Sequence, residues 1–158
     1  MAEERLRDRC PTCDRLWYEN AKPCAGAVVV EAGRVLLVRR AKDPFRGCWD
    51  LPGGFLEANE HPADGARREV LEETGLEVVL DRQLGMYVDT YRPGSDPMLW
   101  HHSLNIFFLA RPVGGTLALS AETTEACWFK LAELPPLAEI AFENGRRALR
   151  DFLSLGQG

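Results

Sequence analysis

The side chains of this 158-residue chain that are best equipped for chemistry are three glutamates, Glu69, Glu72 and Glu73, in the run Arg68-Glu69-Val70-Leu71-Glu72-Glu73. On a helix that turns about 100° per residue, their carboxylates project within about 100° of one another. Like charges at that spacing cost a helix roughly a few tenths of a kcal/mol per pair. Arg68, four residues before Glu72, offsets part of the repulsion, but one arginine does not neutralise three glutamates. The excess suits a hard divalent cation, Mg²⁺ or Mn²⁺, which prefers oxygen ligands. Upstream, Pro52, Gly53 and Gly54 read as a turn whose adjacent glycines permit backbone geometries closed to other residues. An exposed carbonyl there could complete a metal shell. Taken alone, the glutamate run also fits ordinary charges on a solvated helix, because glutamate is a good helix former.

The elements that must position these groups follow from periodicity and breakers. Pro62 suits the first turn of a helix, where its missing amide hydrogen would have no partner, and Gly75 should end that helix. Ala63, Ala66 and Val70 give it a packing face. Residues 25–30 and 35–40 are apolar runs around a Gly33 turn signal and read as a hairpin, followed by a loop with Pro44 and Gly47. Residues 77–80, 84–91, 104–111 and 126–131 are further strand candidates. Within residues 145–155, Leu149, Phe152 and Leu153 fall at the spacing of an inward-facing helical stripe.

Composition is that of an ordinary folded domain, 46% apolar and 27% charged, with no run approaching the ~20 apolar residues of a membrane span. The charged start MAEERLRDRC lacks the apolar core of a secretory signal, so a cytoplasmic protein is expected. Five cysteines, an odd number, fit that compartment as thiols. The formal charge of −5 argues against broad nucleic-acid binding, which relies on a basic surface. A phosphorylated small molecule remains open, since a local cluster of cations or metal ions can hold it in an acidic protein.

The whole stretch resembles the signature of the Nudix hydrolases: Gly, five residues, Glu, seven residues, Arg, Glu, apolar, any, Glu, Glu, any, Gly, apolar. Here it reads Gly54, Glu60, Arg68, Glu69, Val70, Glu72, Glu73, Gly75 and Leu76, with no departure. A chance match has a probability on the order of 10⁻⁷ at typical residue frequencies, which makes the signal specific. VLLVRR and WDLPGGFLE look like the usual lead-in, so the resemblance covers roughly residues 25–155. It implies an α/β (α+β) fold, an α/β/α sandwich with a mixed β-sheet between helices, over residues 25–158. It also implies an enzyme, a Mg²⁺-dependent pyrophosphohydrolase. Glu69, Glu72 and Glu73 would bind metal, with the Gly54 carbonyl as a further donor. Arg68 would orient Glu69 or Glu72, and Glu60 would support the helix start or contact metal through water. The base is left open between a metal-site glutamate and a downstream loop residue, for which Glu122 and Glu125 are candidates, Glu125 in the position where relatives often carry one.

Residues 1–24 form an appendage in which Cys10 and Cys13 resemble half of the zinc ribbon that precedes NADH pyrophosphatases. A structural zinc needs four ligands, so a remnant without metal is favoured over zinc shared across a dimer. Cys24, at the entrance to an expected strand, is a candidate third ligand, and Cys48 and Cys127 read as packing residues. Arg39, Arg40 and Arg46 are candidates for substrate phosphate, Tyr91 for substrate binding, and Pro93 shares its region. Trp49 reads as packing rather than base stacking, and His101 and His102 could border the pocket but read first as solvated loop residues. An ADP-ribose-like nucleoside diphosphate is the first expectation for substrate, ahead of dinucleoside polyphosphates and damaged nucleoside triphosphates. The NADH pyrophosphatase tail motif is absent, which lowers NADH. A non-catalytic nucleotide or RNA-binding module is the alternative, and isoprenoid diphosphate isomerisation would need a His, Glu and Cys set that no motif locates. A homodimer is compatible with the sequence.

Overall fold

The computed structural model describes residues 7–18, 20–92 and 100–156; Pro93 lies outside them. Strands β1 (Arg7–Arg9) and β2 (Leu16–Tyr18) pair antiparallel as a separate hairpin. Cys10 and Cys13 sit in its turn, which is closed by main-chain bonds from Asp14 N–H to Cys10 O (2.9 Å) and from Cys10 N–H to Arg15 O (2.8 Å).

The main sheet is organised by β3 (Lys22–Glu31), whose residues Cys24–Val29 are all buried. An apolar run covered on both faces is what a central strand requires. It turns into β4 (Arg34–Arg40), which pairs with β5 (Trp49–Asp50). Then β6 (Gly53–Phe55) lies antiparallel against Cys24–Gly26 of β3. Helix α1 runs Pro62–Thr74, as the Pro and Gly signals predict. His61 Nδ1 accepts from Ala63 N–H at its start, and Gly75 takes the left-handed conformation, φ 71°, at its end. Two long strands follow, β7 (Leu76–Tyr91) and β8 (His101–Gly115), paired antiparallel, with β8 parallel to β3. Strand β9 (Thr123–Lys130) pairs with β4, and α2 (Glu143–Leu155) closes the domain.

The sequence suggests two strands, 77–80 and 84–91, where β7 is one. Register shifts at Leu80/Arg82 and Gln83/Gly85 absorb extra residues, so pairing with β8 continues through the polar Asp81-Arg82-Gln83 stretch.

The two helices cover opposite faces, which follows from the period-2 alternation along β3. Ala25, Ala27 and Val29 pack with Ala66 and Val70 of α1 and with Phe108 and Ala110 of β8. Val28 packs instead with Tyr87, Phe107 and with Ala148 and Leu149 of α2. Partly buried Phe152 joins that cluster, and Leu153 is half-buried. A mixed sheet between helices is therefore the architecture. Among the described residues, no helix is long and apolar enough to cross a membrane.

Candidate active site

Strand β4 pairs with β3 only at Arg34 and Val35 and otherwise with β9 and β5, whereas Lys22–Val29 of β3 pairs with β8 and Cys24–Gly26 with β6. A cavity of about 500 Å³ opens between these groups of strands. One wall is acidic, with Glu69 and Glu73 from α1, Asp50 from β5, and Glu122 from the loop before β9.

The glycines before α1 matter for space rather than conformation. Neither Gly53 nor Gly54 has a positive φ, so the turn expected from sequence is instead a short strand with extended backbone. A Cβ on Gly53 would lie 2.7 Å from Gly26 Cα and 2.8 Å from Ala25 O. A Cβ on Gly54 would lie 2.7 Å from the Glu69 carboxyl group. The absence of side chains lets the α1 carboxylates lie directly over the backbone of β6.

Arg68 ties the acidic residues into one unit. It donates from Nε and Nη2 to the two oxygens of Glu60 (2.8 Å each), from Nη1 to Glu69 (2.8 Å) and Glu72 (3.2 Å), and from Nη2 to the Phe55 carbonyl (3.0 Å). This fork holds the Glu60 carboxyl down at about 2, helped by the Glu57 N–H, and pushes Arg68 itself up. Burial raises Glu69 above the usual carboxylate range against the pull of Arg68. Glu73 turns from the arginine to accept from Gly53 N–H (3.1 Å). Burial, with Asp50, Glu69 and Glu122 nearby, pushes Glu73 up to about 8.

A divalent cation fits this donor set. Glu69, Glu72 and Glu73 are oxygen donors on one helix, and the Gly54 main chain lies within reach of Glu69. Acidic Asp43, Asp50, Glu69, Glu73 and Glu122 outnumber the lining cations Lys22, Arg40 and Lys42, so a diphosphate needs added positive charge to enter. Among the described residues, no three of His, Cys, Asp and Glu already converge at ligand distance, at the α1 site or at Cys10 and Cys13. Glu72 is 57% exposed at its side chain and lies outside the cavity lining.

The other wall is aromatic and amide-bearing. Tyr91 meets His101 (5.7 Å) and Phe142 (5.1 Å) edge-on, and Phe142 meets Phe45 (4.9 Å). Ser103 and Asn105 rise from β8, and Asn144 from the first turn of α2. Neighbouring Arg39 and Arg40 diverge because strand side chains alternate. Arg40 lines the cavity, bonded to Pro44 O (2.9 Å) and Asp50 (3.2 Å) and stacked on Phe142. Arg39 instead stacks on buried Trp49 at 4.5 Å and pairs with Glu125 at 3.3 Å. Arg39, Arg46 and Glu125 lie outside the lining, whereas Tyr91, His101, Cys24 and Glu122 belong to it. His102 bonds Thr90 Oγ1 (2.9 Å). Cys127 packs against the core and donates to Glu125, and Cys48 is half-buried. Sequence reading misses Lys22, Asp50, Ser103, Asn105, Phe142 and Asn144. The usable signal was Ser103 and Asn105, polar residues at period 2 inside an otherwise apolar strand.

The NUDIX domain family model matches residues 21–152. The chain is 37% identical over 144 residues to the ADP-ribose pyrophosphatase of Methanocaldococcus jannaschii, covering 91% of this chain and 79% of that protein. It is 32% identical over 133 residues to the NAD-capped RNA hydrolase NudC of Vibrio atlanticus, covering 84% of this chain and 46% of the relative. A NUDIX hydrolase from Nitrosomonas europaea shares the fold with a TM-score of 0.78 at 31% identity, over 94% of this chain and 78% of that one. The chain belongs to the NUDIX family. Within that family it is a Nudix hydrolase, an enzyme whose α1 and β6 carry the family's signature residues.

Proposed function

We propose that the protein is a Mg²⁺- or Mn²⁺-dependent pyrophosphohydrolase that cleaves the diphosphate of an ADP-ribose-like nucleoside diphosphate. The observation that carries this reading is a single cavity with an acidic, all-oxygen wall on one side and an aromatic wall on the other. One end suits a metal-bound diphosphate and the other a base. The similarity to the Methanocaldococcus jannaschii ADP-ribose pyrophosphatase supports the substrate class.

Glu69, Glu73 and the Gly54 carbonyl would hold the ion, with Glu72 and Glu60 as further oxygen donors. When bound, the ion supplies charge neutralisation for the phosphate oxygens and lowers the pKa of a water. Arg68 keeps Glu69 and Glu72 oriented, while Lys22, Arg40 and Lys42 attract the phosphates. Glu122 borders the cavity and Glu125 does not, which supports Glu122 as acceptor of the water's proton.

The test is phosphate release, after phosphatase coupling, from ADP-ribose, NADH, diadenosine polyphosphates and nucleoside triphosphates, with and without Mg²⁺. ADP-ribose should be turned over best and chelation should abolish turnover. Glu73→Gln should lower kcat by about 10³-fold with the fold retained by circular dichroism. Turnover by Glu73→Gln near that of wild type, or no activity on any substrate, rejects the reading.

A further inference from the structure

The aromatic wall carries two side-chain amides whose orientations are dictated by their partners. Asn105 is 8% exposed and donates from Nδ2 to Ser103 Oγ (2.8 Å) and to the Tyr87 main-chain carbonyl (3.4 Å). A carbonyl can only accept, so the nitrogen must face it and Oδ1 is the atom left over. Asn144, 6% exposed, is held in the same way. Its Nδ2 and its main-chain N–H both donate to Asp89 Oδ2, at 3.2 and 3.3 Å. Both residues line the cavity. Among the described residues, neither Oδ1 has a protein donor, and neither is sealed from the cavity as a buried unpaired atom. Ser103 Oγ accepts from Asn105, which leaves its own hydrogen free to donate.

The wall therefore offers two carbonyl acceptors and one hydroxyl donor. Beside them, Tyr91 offers a ring for stacking, while Arg40 already covers a face of Phe142 at 4.8 Å. An exocyclic amino group brings two hydrogens, matching two acceptors, and the adjacent ring nitrogen of a 6-aminopurine accepts one hydrogen, matching Ser103. A 6-oxopurine would turn its oxygen towards two amide oxygens that can only accept, and its ring N–H would leave the Ser103 hydrogen without an acceptor. We propose that Ser103, Asn105 and Asn144, with Tyr91 as stacking surface, form a base-reading subsite that selects a 6-aminopurine over a 6-oxopurine. The proposal rests on the reading of the cavity as an ADP-ribose-like nucleoside diphosphate site and adds which residues read the base and that they discriminate between amino and oxo purines.

The experiment compares kcat/KM for ADP-ribose and for its hypoxanthine analogue, IDP-ribose, with the Mg²⁺-loaded enzyme. Wild type should prefer ADP-ribose by at least about ten-fold, carried by KM, because the wrong base leaves buried polar groups unpaired. Asn105→Ala should cut the preference at least about three-fold, by weakening ADP-ribose more than IDP-ribose. Ser103→Ala, the smaller change, should move the ratio the same way, and thermal melts confirm that both variants fold. Equal turnover of the two nucleotides by wild type, or a preference unaltered in both variants, overturns the subsite and leaves the pyrophosphohydrolase reading standing. No turnover of either nucleotide, or of any other diphosphate, overturns both.

Discussion

Gly53, Gly54, Glu69 and Glu73 reach the acidic wall from one strand and the helix that follows it, whereas Arg40, Tyr91, Ser103, Asn105, Phe142 and Asn144 reach the other wall from β4, β7, β8 and the start of α2. The first wall is rigid by local design. Arg68 bonds Glu60, Glu69 and Glu72, and the Glu69 carboxyl group lies directly over the bare Gly54 backbone. The second wall is held by long-range contacts, such as Asn144 on Asp89 and Tyr91 on Phe142. The metal-binding groups are thus built into one contiguous segment, to which the loop before β9 adds Glu122, and the choice of substrate is spread over distant elements. Such a division lets loops and strand ends change specificity without disturbing the chemistry.

The sharpest way to separate the walls is at the paired glycines. Gly54→Ala drives a Cβ into the Glu69 carboxyl group, and kcat/KM should fall about 100-fold, the expected result of a misplacement near 1 Å. Its melting temperature should change little, because the group displaced is the flexible end of a side chain. Gly53→Ala meets the backbone of β3 instead and should lose roughly 1–3 kcal/mol of stability in urea titration. Equal behaviour of the two variants would break the distinction between a floor shaped for chemistry and a joint shaped for packing.

A second contrast concerns pH. Burial pushes the Asp50 carboxyl from 3.8 up to about 6, against Arg40 and the Leu51 N–H and with Asp89 adding to the rise. A raised folded-state pKa means that this group's contribution is fully present below pH ~4 and is lost as pH rises through 6. The loss should be on the order of 2 kcal/mol, allowing for the water that reaches a side chain 12% exposed. Urea midpoints measured from pH 4 to 7 should fall more steeply in wild type than in Asp50→Asn, where the raised Glu69 and Glu73 still contribute a slope of the same sign. An identical slope in both proteins would place its origin elsewhere.

The smallest expected effect belongs to the aromatic wall. Phe142→Ala removes the edge contacts to Tyr91 and Phe45 and should raise the KM for ADP-ribose about ten-fold with kcat within about two-fold. A fall in kcat with KM unchanged would mean that this wall takes part in the chemistry as well as in binding.

Much of the first wall was legible in the residue order. Pro62, Gly75 and the glutamate spacing define α1 to the residue, because helix ends and helix faces depend on neighbours a few positions apart. The hairpin of β3 and β4 and the final helix follow from the same local rules. Less was legible in the strands. The polar Asp81-Arg82-Gln83 stretch resembles a loop, and only the partner strand β8 shows that bulges carry the pairing through it. Gly53 and Gly54 suggest a turn, and only the approach of β3 and Glu69 shows that they are there for space.

From its own order, the chain determined a helix bearing Glu69, Glu72 and Glu73, the arginine that organises them, and hence the family and the kind of reaction. Tertiary structure alone decided which neighbouring arginine enters the cavity and that Glu122 rather than Glu125 borders it. It also decided that Ser103, Asn105 and Asn144 share a wall with Tyr91. The reason is the range of the contacts. A helix face is set by residues three and four apart, whereas a cavity between sheet halves is set by register and by the packing of α2, which join residues far apart in the chain.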